Sequence, residues 1–394
     1  MREQLTKSVD LRLRGDAEVG LYLSGGLDSS VLAALAARRQ ETVLQTFSVS
    51  FEDSTFDESK WQNQVSEYLG TQHHNLKVTS QDIVKAFPLS VYHAETPVFR
   101  TALTPMFLLS KLVRETGLKV VLSGEGADEV LLGYNLFRET RLRAKWQGLT
   151  AKEKQSQLAQ LYPYQTHFGE SHARVTASLF DQLKGKTGDP LFSHHLRFHN
   201  SAFALKFFRD SVAEGLAPLR DRLQRELTPD SDNIERAQWL EFHTLLGGYL
   251  LSSQGDRAAM AHSVESRSPF LDPNFVNLLM RHRGELLKEE GLEKDILRKA
   301  MAGKLPEACL GQRKTPYRSP GASIFFEHQP DYLDCIASPV ELTAQDIFEP
   351  KLVQRLVRKL RQRCAENAPV SPRDDHTFTL ILSTLLLRHS FKHV

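Results

Sequence analysis

Long uninterrupted apolar runs are missing from this 394-residue sequence. No stretch approaches the roughly 18 consecutive apolar residues that a membrane helix needs. The longest run near the end, around Leu380 to Leu387, is broken by Ser383 and Thr384. Cysteine is scarce: Cys309, Cys335 and Cys364 are three, odd in number and far apart, with no C-x-x-C pair. This argues against a disulfide framework, a zinc ribbon and a redox pair, and favours a reducing compartment. An excess of one charge is also lacking. Lys and Arg number 50 against 48 Asp and Glu, a net charge of +2, which gives no electrostatic case for nucleic acid or a membrane as partner. The opening MREQLTKSVDLRLRGD is charged throughout and holds no apolar core of a secretory signal. These absences predict a soluble, cytoplasmic protein.

What is present is ordinary globular material, 41% hydrophobic and 25% charged, in a length that suits one large domain or two sharing a core. The first third alternates between two periods. Leu5, Val9 and Leu13 stand at helical spacing within residues 2–14. VGLYLS (19–24) reads as a buried strand, SSVLAALAARR (29–39) as a helix and VLQTFSVSF (43–51) as a second strand. Asp57 caps a helix through Leu69 with Trp61, Val65 and Leu69 inward, and HNLKV (74–78) reads as a third strand. Helices are expected at about 80–88 and 104–116, then the strand LKVVLS (118–123), while CAENAPVSPRDD (364–375) reads as a loop before a last helix. Strand–helix alternation predicts a parallel sheet with helices on both faces. Beyond about residue 150 helical patterns dominate. The expected organisation is an α/β core over 1–150 and a largely helical part over 151–394 that completes the site.

The strongest local signal is Ser24-Gly25-Gly26-Leu27-Asp28-Ser29-Ser30, placed where a strand ends and a helix begins. Ligands of open α/β sheets bind at the carboxyl ends of strands. Two glycines admit an anion close to the backbone, the Ser24 and Ser29 hydroxyls add donors, and the helix N-terminus adds its partial charge. Asp28 repels a bare phosphate and makes sense beside one only if Mg²⁺ stands between them. The string resembles the PP-loop of N-type ATP pyrophosphatases (adenine nucleotide α-hydrolase-like), which split ATP into AMP and pyrophosphate. It is not a Walker A loop. A near miss at Gly185-Lys186-Thr187 has Phe180 where the first glycine should be and no strand before it.

A second strand end carries Gly124-Glu125-Gly126-Ala127-Asp128-Glu129, whose three carboxylates suit a metal or general-base cluster and, taken alone, equally a solvated turn with a helix cap. Together LSGGLDSS (23–30), TFSVSF (46–51), LGTQHH (69–74), LSGEGADEVLLGY (122–134), DRAAMAHSVESRSPFLD (256–272), EKDILRKA (293–300) and SPRDDHTFTLILSTLLL (371–387) resemble, in order, the synthetase domain of asparagine synthetases. The resemblance implies an ATP-dependent, carbon–nitrogen bond-forming ligase. It would adenylate a carboxylate, most simply the aspartate side chain, and pass ammonia to it to give asparagine, AMP and pyrophosphate, with ATP and Mg²⁺ required. Leu23, Val49, Ser123 and Gly124 would hold the adenosine; Ser24, Gly25, Gly26, Asp28 and Ser29 the pyrophosphate; Asp28 and Asp128 the Mg²⁺. Glu125 would be the base that frees the amine, Lys294 would offset charge on the acyl-adenylate, and Arg100 would lie near the acyl-phosphate and the substrate.

Members of this family usually open with a catalytic Cys on a glutaminase domain, whereas residue 2 here is Arg and no nucleophilic Cys stands near the start. The expectation is a synthetase half without its glutaminase, supplied by free ammonia, by another amine or by a separate glutaminase subunit; a homodimer is compatible. Leu131-Leu132-Gly133-Tyr134 stands where the family more often has an aromatic and two glycines. The same chemistry on another carboxylate or amine is the main alternative. A PP-loop enzyme that modifies tRNA fits less well, given the near-neutral charge and the missing C-x-x-C. Read without the resemblance, Asp256, Arg257, Glu265, Arg267 and Asp272 are candidates for structural ion pairs, Lys294 is an ordinary helix lysine, and the adjacent His73 and His74 are structural.

Overall fold

The computed structural model describes residues 1–394 except 40–41, 162–168, 184, 211–213, 215–216, 228–230, 288–291, 314–316 and 392–394. Its centre is a five-stranded sheet in the order β3-β2-β1-β4-β5, with every neighbouring pair parallel. The strands are β1 (Val19–Tyr22), β2 (Gln45–Phe51), β3 (Gln72–Val78), β4 (Val120–Leu122) and β5 (Glu265–Arg267). Side chains alternate across a strand. Thus Val120 and Leu122 pack with β1 residues Val19 and Leu21 on one face, while Val121 joins Phe47, Val49 and Phe51 of β2 on the other. Helices α1 (Arg2–Arg12) and α2 (Leu27–Ala36) contribute Leu5, Val9, Val31 and Leu32 to the first core. The second core takes Phe87 and Val91 of α4 (Ser80–Ala94), Phe107 and Val113 of α5 (Leu103–Glu115), and Phe378, Ile381 and Leu385 of the last helix, Pro372–Phe391.

Several elements differ from the sequence reading. Helix α3 (Ser59–Leu69) has Glu58 at its N-cap, and Asp57 accepts from Ser59 N at 3.2 Å from one position further out. Its buried face is Gln62, Val65 and Ser66, whereas Trp61 and Leu69 are half-buried. The polar pair lies inward because it is bonded: Gln62 Nε2 donates to Val49 O at 2.9 Å. Helix α4 continues through Pro88 to Ala94, opened by a capping box in which Asp82 N donates to Thr79 Oγ1 at 3.1 Å and Thr79 N donates to Asp82 Oδ2 at 3.0 Å. The loop before the last helix is shorter than expected, because the preceding helix runs from Pro350 to Ala365 and Pro372 opens the next one. Strand β5 is three residues, Glu-Ser-Arg, with no buried member, so only its pairing with β4 makes it a strand.

The second half also supplies one continuous helix. It is α-helical over Asn233–Glu241, π-helical over Phe242–Arg257 and α-helical again over Ala258–Met260. Arg257 Nη1 from its end donates to the carbonyl of Ala94, which ties it to α4. No helix among the described residues is long and apolar enough to cross a membrane.

Candidate active site

The loop after β1 is drawn tight by its own hydroxyls. Leu23 N donates to Phe47 O at 2.8 Å, Gly26 N donates to Ser24 Oγ at 3.2 Å, and Ser24 Oγ and Ser29 Oγ share a bond of 3.0 Å. Ser30 Oγ closes the turn on Gly26 O at 2.7 Å. Gly25 has φ +79°, and a Cβ there would come within 2.7 Å of Gln62 N and 2.8 Å of Trp61 Cβ. Both the left-handed backbone and the lack of space require glycine. Gly26 is the N-cap of α2, so the helix opens directly beneath the turn. The arrangement is a cradle for an anion.

The loop after β4 lies against it. A Cβ at Gly124 would be 3.4 Å from Asp28 Cβ and 3.5 Å from Ser29 N. Ser123 is fixed by β5, its N donating to Arg267 O at 2.8 Å, and Glu125 N donates to Ser123 Oγ at 3.3 Å. Gly126, with φ +86°, N-caps the one-turn helix α6 (Ala127–Val130) and admits Leu271 where a Cβ would overlap it. Leu23, Ser123 and Gly124 thus follow the adjoining strands β1 and β4, while Val49 lies within β2.

Lys294 joins the two loops. Its side chain is 2% exposed, and its Nζ lies 2.5 Å from Asp28 Oδ2 and 2.6 Å from Asp128 Oδ1. An ammonium therefore sits between the two carboxylates expected to hold a metal. It reaches them from the N-cap of the helix Asp295–Ala300 with a left-handed φ of 57°, rare for a lysine. The approach needs Gly133, where a Cβ would overlap Lys294 Cε and Asp128 Oδ1. Next to Lys294, Arg298 donates to Glu293 O at 2.7 Å and to Glu293 Oε1 at 3.0 Å. The site accepts a cation: the Lys294 ammonium already occupies it, and Asp28 Oδ1 is buried with no hydrogen-bond partner among the described residues. Among the described residues no three His, Cys, Asp or Glu gather as a metal site. Two carboxylates are what Mg²⁺ uses when substrate phosphates and water complete its shell.

Glu129, the third carboxylate of the acidic loop, faces inward. It is 1% exposed and accepts a bond of 2.8 Å from Tyr134 Oη. Burial, reinforced by the Asp128 charge, raises its pKa to about 8. Where a second glycine is usual in the resembling sequences, Leu132 takes φ 54°, so the loop keeps a left-handed turn without the residue that adopts it freely.

Arg100 is exposed, and its neighbours come together in a way that the sequence reading did not assemble. Ser383 of the last helix accepts from Val98 N at 2.9 Å and donates to Val98 O at 2.8 Å, while Thr101 Oγ1 donates to Pro320 O at 2.6 Å. These bonds hold the segment on either side of Arg100, whose guanidinium stands over the Phe99 ring at 5.1 Å. Tyr249 of the π-helical stretch packs on Phe99 at 4.8 Å, and His376 meets it edge-on at 5.6 Å. The link to Glu125 runs through Tyr249: burial raises its pKa to about 12, the Arg100 charge pulls it down and the Glu125 charge pushes it up.

Apart from Asp256, the remaining candidates serve the scaffold. Arg12 pairs with Asp272 at 2.5 Å and Arg267 with Glu265 at 2.8 Å. Asp256 is exposed and makes no ion pair among the described residues. His73 bonds Thr46 Oγ1 at 2.9 Å and Ser48 Oγ at 3.0 Å, and His74 stacks on Phe47 at 4.8 Å. Gly133 and Tyr249 were missed for a common reason: each matters through what lies beside it in space.

A parallel sheet with a Ser-Gly-Gly anion cradle at the end of its first strand, faced by a carboxylate–lysine cluster, defines an α/β domain of the PP-loop synthetase type. The chain belongs to the asparagine synthase family, whose sequence pattern matches residues 1–386. It is 29% identical to asparagine synthetase [glutamine-hydrolyzing] 1 of Bacillus subtilis, over 81% of this chain and 49% of that protein. It is 30% identical to a putative asparagine synthetase [glutamine-hydrolyzing] of Mycobacterium bovis, over 80% of this chain and 47% of that protein. It is 28% identical to the amidase chyE of Penicillium rubens, over 81% of this chain and 52% of that protein. The chain spans about half the length of these curated relatives.

Proposed function

We propose that this chain is an ATP-dependent amide-forming ligase that adenylates the side chain of L-aspartate and transfers ammonia to it, giving asparagine, AMP and pyrophosphate. The observation that carries the reading is the Lys294 ammonium held between Asp28 and Asp128, directly beside a Ser-Gly-Gly anion cradle. A triphosphate with its metal needs such a set: hydroxyl and backbone donors on one side, two carboxylates and a cation on the other. Leu23, Val49, Ser123 and Gly124 hold the adenosine, and Ser24, Gly25, Gly26, Asp28 and Ser29 face the departing pyrophosphate. Asp28 and Asp128 would hold Mg²⁺, which when bound supplies positive charge against the phosphate oxygens.

In the first step a carboxylate oxygen attacks the α-phosphorus of ATP and pyrophosphate leaves, converting a poor electrophile into a mixed anhydride. Lys294 balances the added charge on the phosphate oxygens. In the second, ammonia attacks the acyl carbon, Glu125 takes its proton and AMP leaves. Arg100 orients the acid. The direct test follows AMP, pyrophosphate and asparagine by mass spectrometry in a mixture of chain, ATP, Mg²⁺, L-aspartate and ammonium. Equal amounts of AMP and asparagine are expected. Glu125→Gln should stop amide formation and leave pyrophosphate release largely intact; loss of pyrophosphate release with amide transfer preserved would reverse the assignment.

A second reading keeps the chemistry and changes the acid or the amine. The likeness to a relative named an amidase supports it, as does the non-glycine Leu132 behind Asp128. Pyrophosphate release that depends on an acid other than aspartate would select it.

A further inference from the structure

The last helix (Pro372–Phe391) holds the segment that carries Arg100 at two places. One hold is direct, through the two bonds between Ser383 and the backbone of Val98. The other runs through a second loop. Asp375 Oδ1 accepts from Ala322 N at 2.5 Å. A Cβ at Gly321 would come within 2.6 Å of the same oxygen and 2.9 Å of Oδ2, so only glycine lets the carboxylate reach the loop. Next to it, Pro320 O accepts from Thr101 Oγ1 at 2.6 Å, and the Thr101 hydroxyl shares another bond of 2.6 Å with Ser319 Oγ. Thr101 is buried, and its carbonyl accepts from Thr104 N at 2.9 Å at the start of α5. The path from Asp375 through Ala322, Pro320 and Thr101 therefore ends just beyond Arg100, and the path from Ser383 ends just before it.

The two neighbouring acids of the last helix do different things. Asp374 is buried against Lys359 Nζ at 2.6 Å and Ser371 Oγ at 2.7 Å, a structural pair. Asp375 reaches the Gly321–Ala322 turn instead. Burial pushes its pKa up, and the Ala322 bond and the Arg100 charge oppose the rise. His376, the next residue, meets the Phe99 ring edge-on, and that ring carries the guanidinium. Arg100 is exposed, so its aim depends on the backbone from which it projects. Supporting hydrogen bonds of this kind decide how closely a functional side chain keeps its geometry.

We propose that Asp375 is a positioning residue for Arg100: it fixes the turn Ser319–Ala322, and the turn, through Thr101, fixes the backbone that presents the guanidinium. Asp375 touches no reacting atom in this scheme. The proposal rests on the amide-ligase reading for what Arg100 does, which is to orient the acid, and on the hydrogen bonds for how Arg100 is held.

The test compares the full chain with Asp375→Ala, Asp375→Asn, Gly321→Ala and, as a control on the pair beside it, Lys359→Ala. Hydrogen–deuterium exchange follows residues 97–104 and 317–323. Pyrophosphate release with L-aspartate, ATP, Mg²⁺ and ammonium gives kcat and the KM of each substrate. In Asp375→Ala both segments should exchange about tenfold faster, the loss of one hydrogen bond to a charged group, while residues 23–30 exchange as before. The KM for L-aspartate should rise about tenfold, with kcat and the KM for ATP within about twofold of the parent. Gly321→Ala should do the same from the other side of the contact, and it carries the comparison if Asp375→Ala does not fold. Asp375→Asn keeps an acceptor oxygen and should return both measurements to within about threefold of the parent. Lys359→Ala should move neither. Faster exchange confined to 317–323 overturns the proposal, since Asp375 is then only a local cap. So do unchanged exchange, equal rises in both KM values, Asp375→Asn as impaired as Asp375→Ala, or Lys359→Ala matching Asp375→Ala. A parent chain that releases no pyrophosphate with L-aspartate overturns the reading of what Arg100 binds, and the exchange of 97–104 then decides by itself whether Asp375 holds that segment.

Discussion

Around the loop after β1 the hydroxyls of Ser24, Ser29 and Ser30 all have partners, and the carboxylates of Asp28 and Asp128 share a buried lysine. Around Arg100 the hydroxyl of Tyr249 has none among the described residues. The hydroxyls of the loop after β1 are satisfied by the chain itself, while Asp28 Oδ1 has no hydrogen-bond partner among the described residues. A preorganised site holds a charged, chemically constant group at little reorganisation. An incomplete one gives up some stability and gains selectivity, since only the molecule that supplies the missing partners relieves it.

Removing the lysine should break this contrast most strongly. Lys294→Ala leaves Asp28 and Asp128 facing each other in a buried site, and loss of one partner of a buried pair costs about 3–5 kcal/mol. Thermal melts should show a large drop, with Mg²⁺ restoring part of it. A variant indifferent to Mg²⁺ would mean that these carboxylates do not form a cation site.

Glu129 is the exception on the phosphate side, since it gives up its charge instead of finding a cation. Its folded pKa of about 8 stands above the ordinary 4.5. The folded state therefore binds the extra proton, and its stabilising contribution is complete below pH 4.5 and fades as pH rises through 8. Relative to Glu129→Gln, the parent should lose roughly 1 kcal/mol per pH unit across that window. Denaturant midpoints at pH 5, 7 and 9 measure it; parallel curves for the two proteins would show a charged Glu129.

Gly133→Ala should have the smallest effect. Its methyl group would displace the end of Lys294 from Asp128, at a cost of about 1–3 kcal/mol, typical of overpacking. Urea unfolding reads the loss, and a neutral result would mean that Lys294 can reach the carboxylates by another route.

The loops after β1 and β4 were legible in the sequence and the surroundings of Arg100 were not. Gly25, Gly26 and Asp28 announce themselves because a strand end, two glycines and an acid follow one another directly. The loop at Gly124–Glu129 is legible for the same reason. Arg100 could be named only through resemblance. Its neighbours Phe99, Tyr249 and His376 come from three segments, and no spacing along the chain relates them. Strand β5 escaped because Glu265-Ser266-Arg267 carries no apolar pattern, and Trp61 misled because a large ring was assumed to outrank a bonded glutamine for the inward position.

Strand β5 also bears on how the molecule is made. It pairs with β4 in register Val120↔Glu265, Val121↔Ser266 and Leu122↔Arg267, far along the chain from its partner. As the protein leaves the ribosome, β4 emerges early and waits with one edge unpaired until the segment beyond the π-wound helix has been synthesised. An open, fully apolar edge such as Val120-Val121-Leu122 invites pairing with other chains. A fragment cut near residue 150 would keep that edge permanently bare, so its solubility, more than its catalytic loops, would limit its use as a separate nucleotide-binding module.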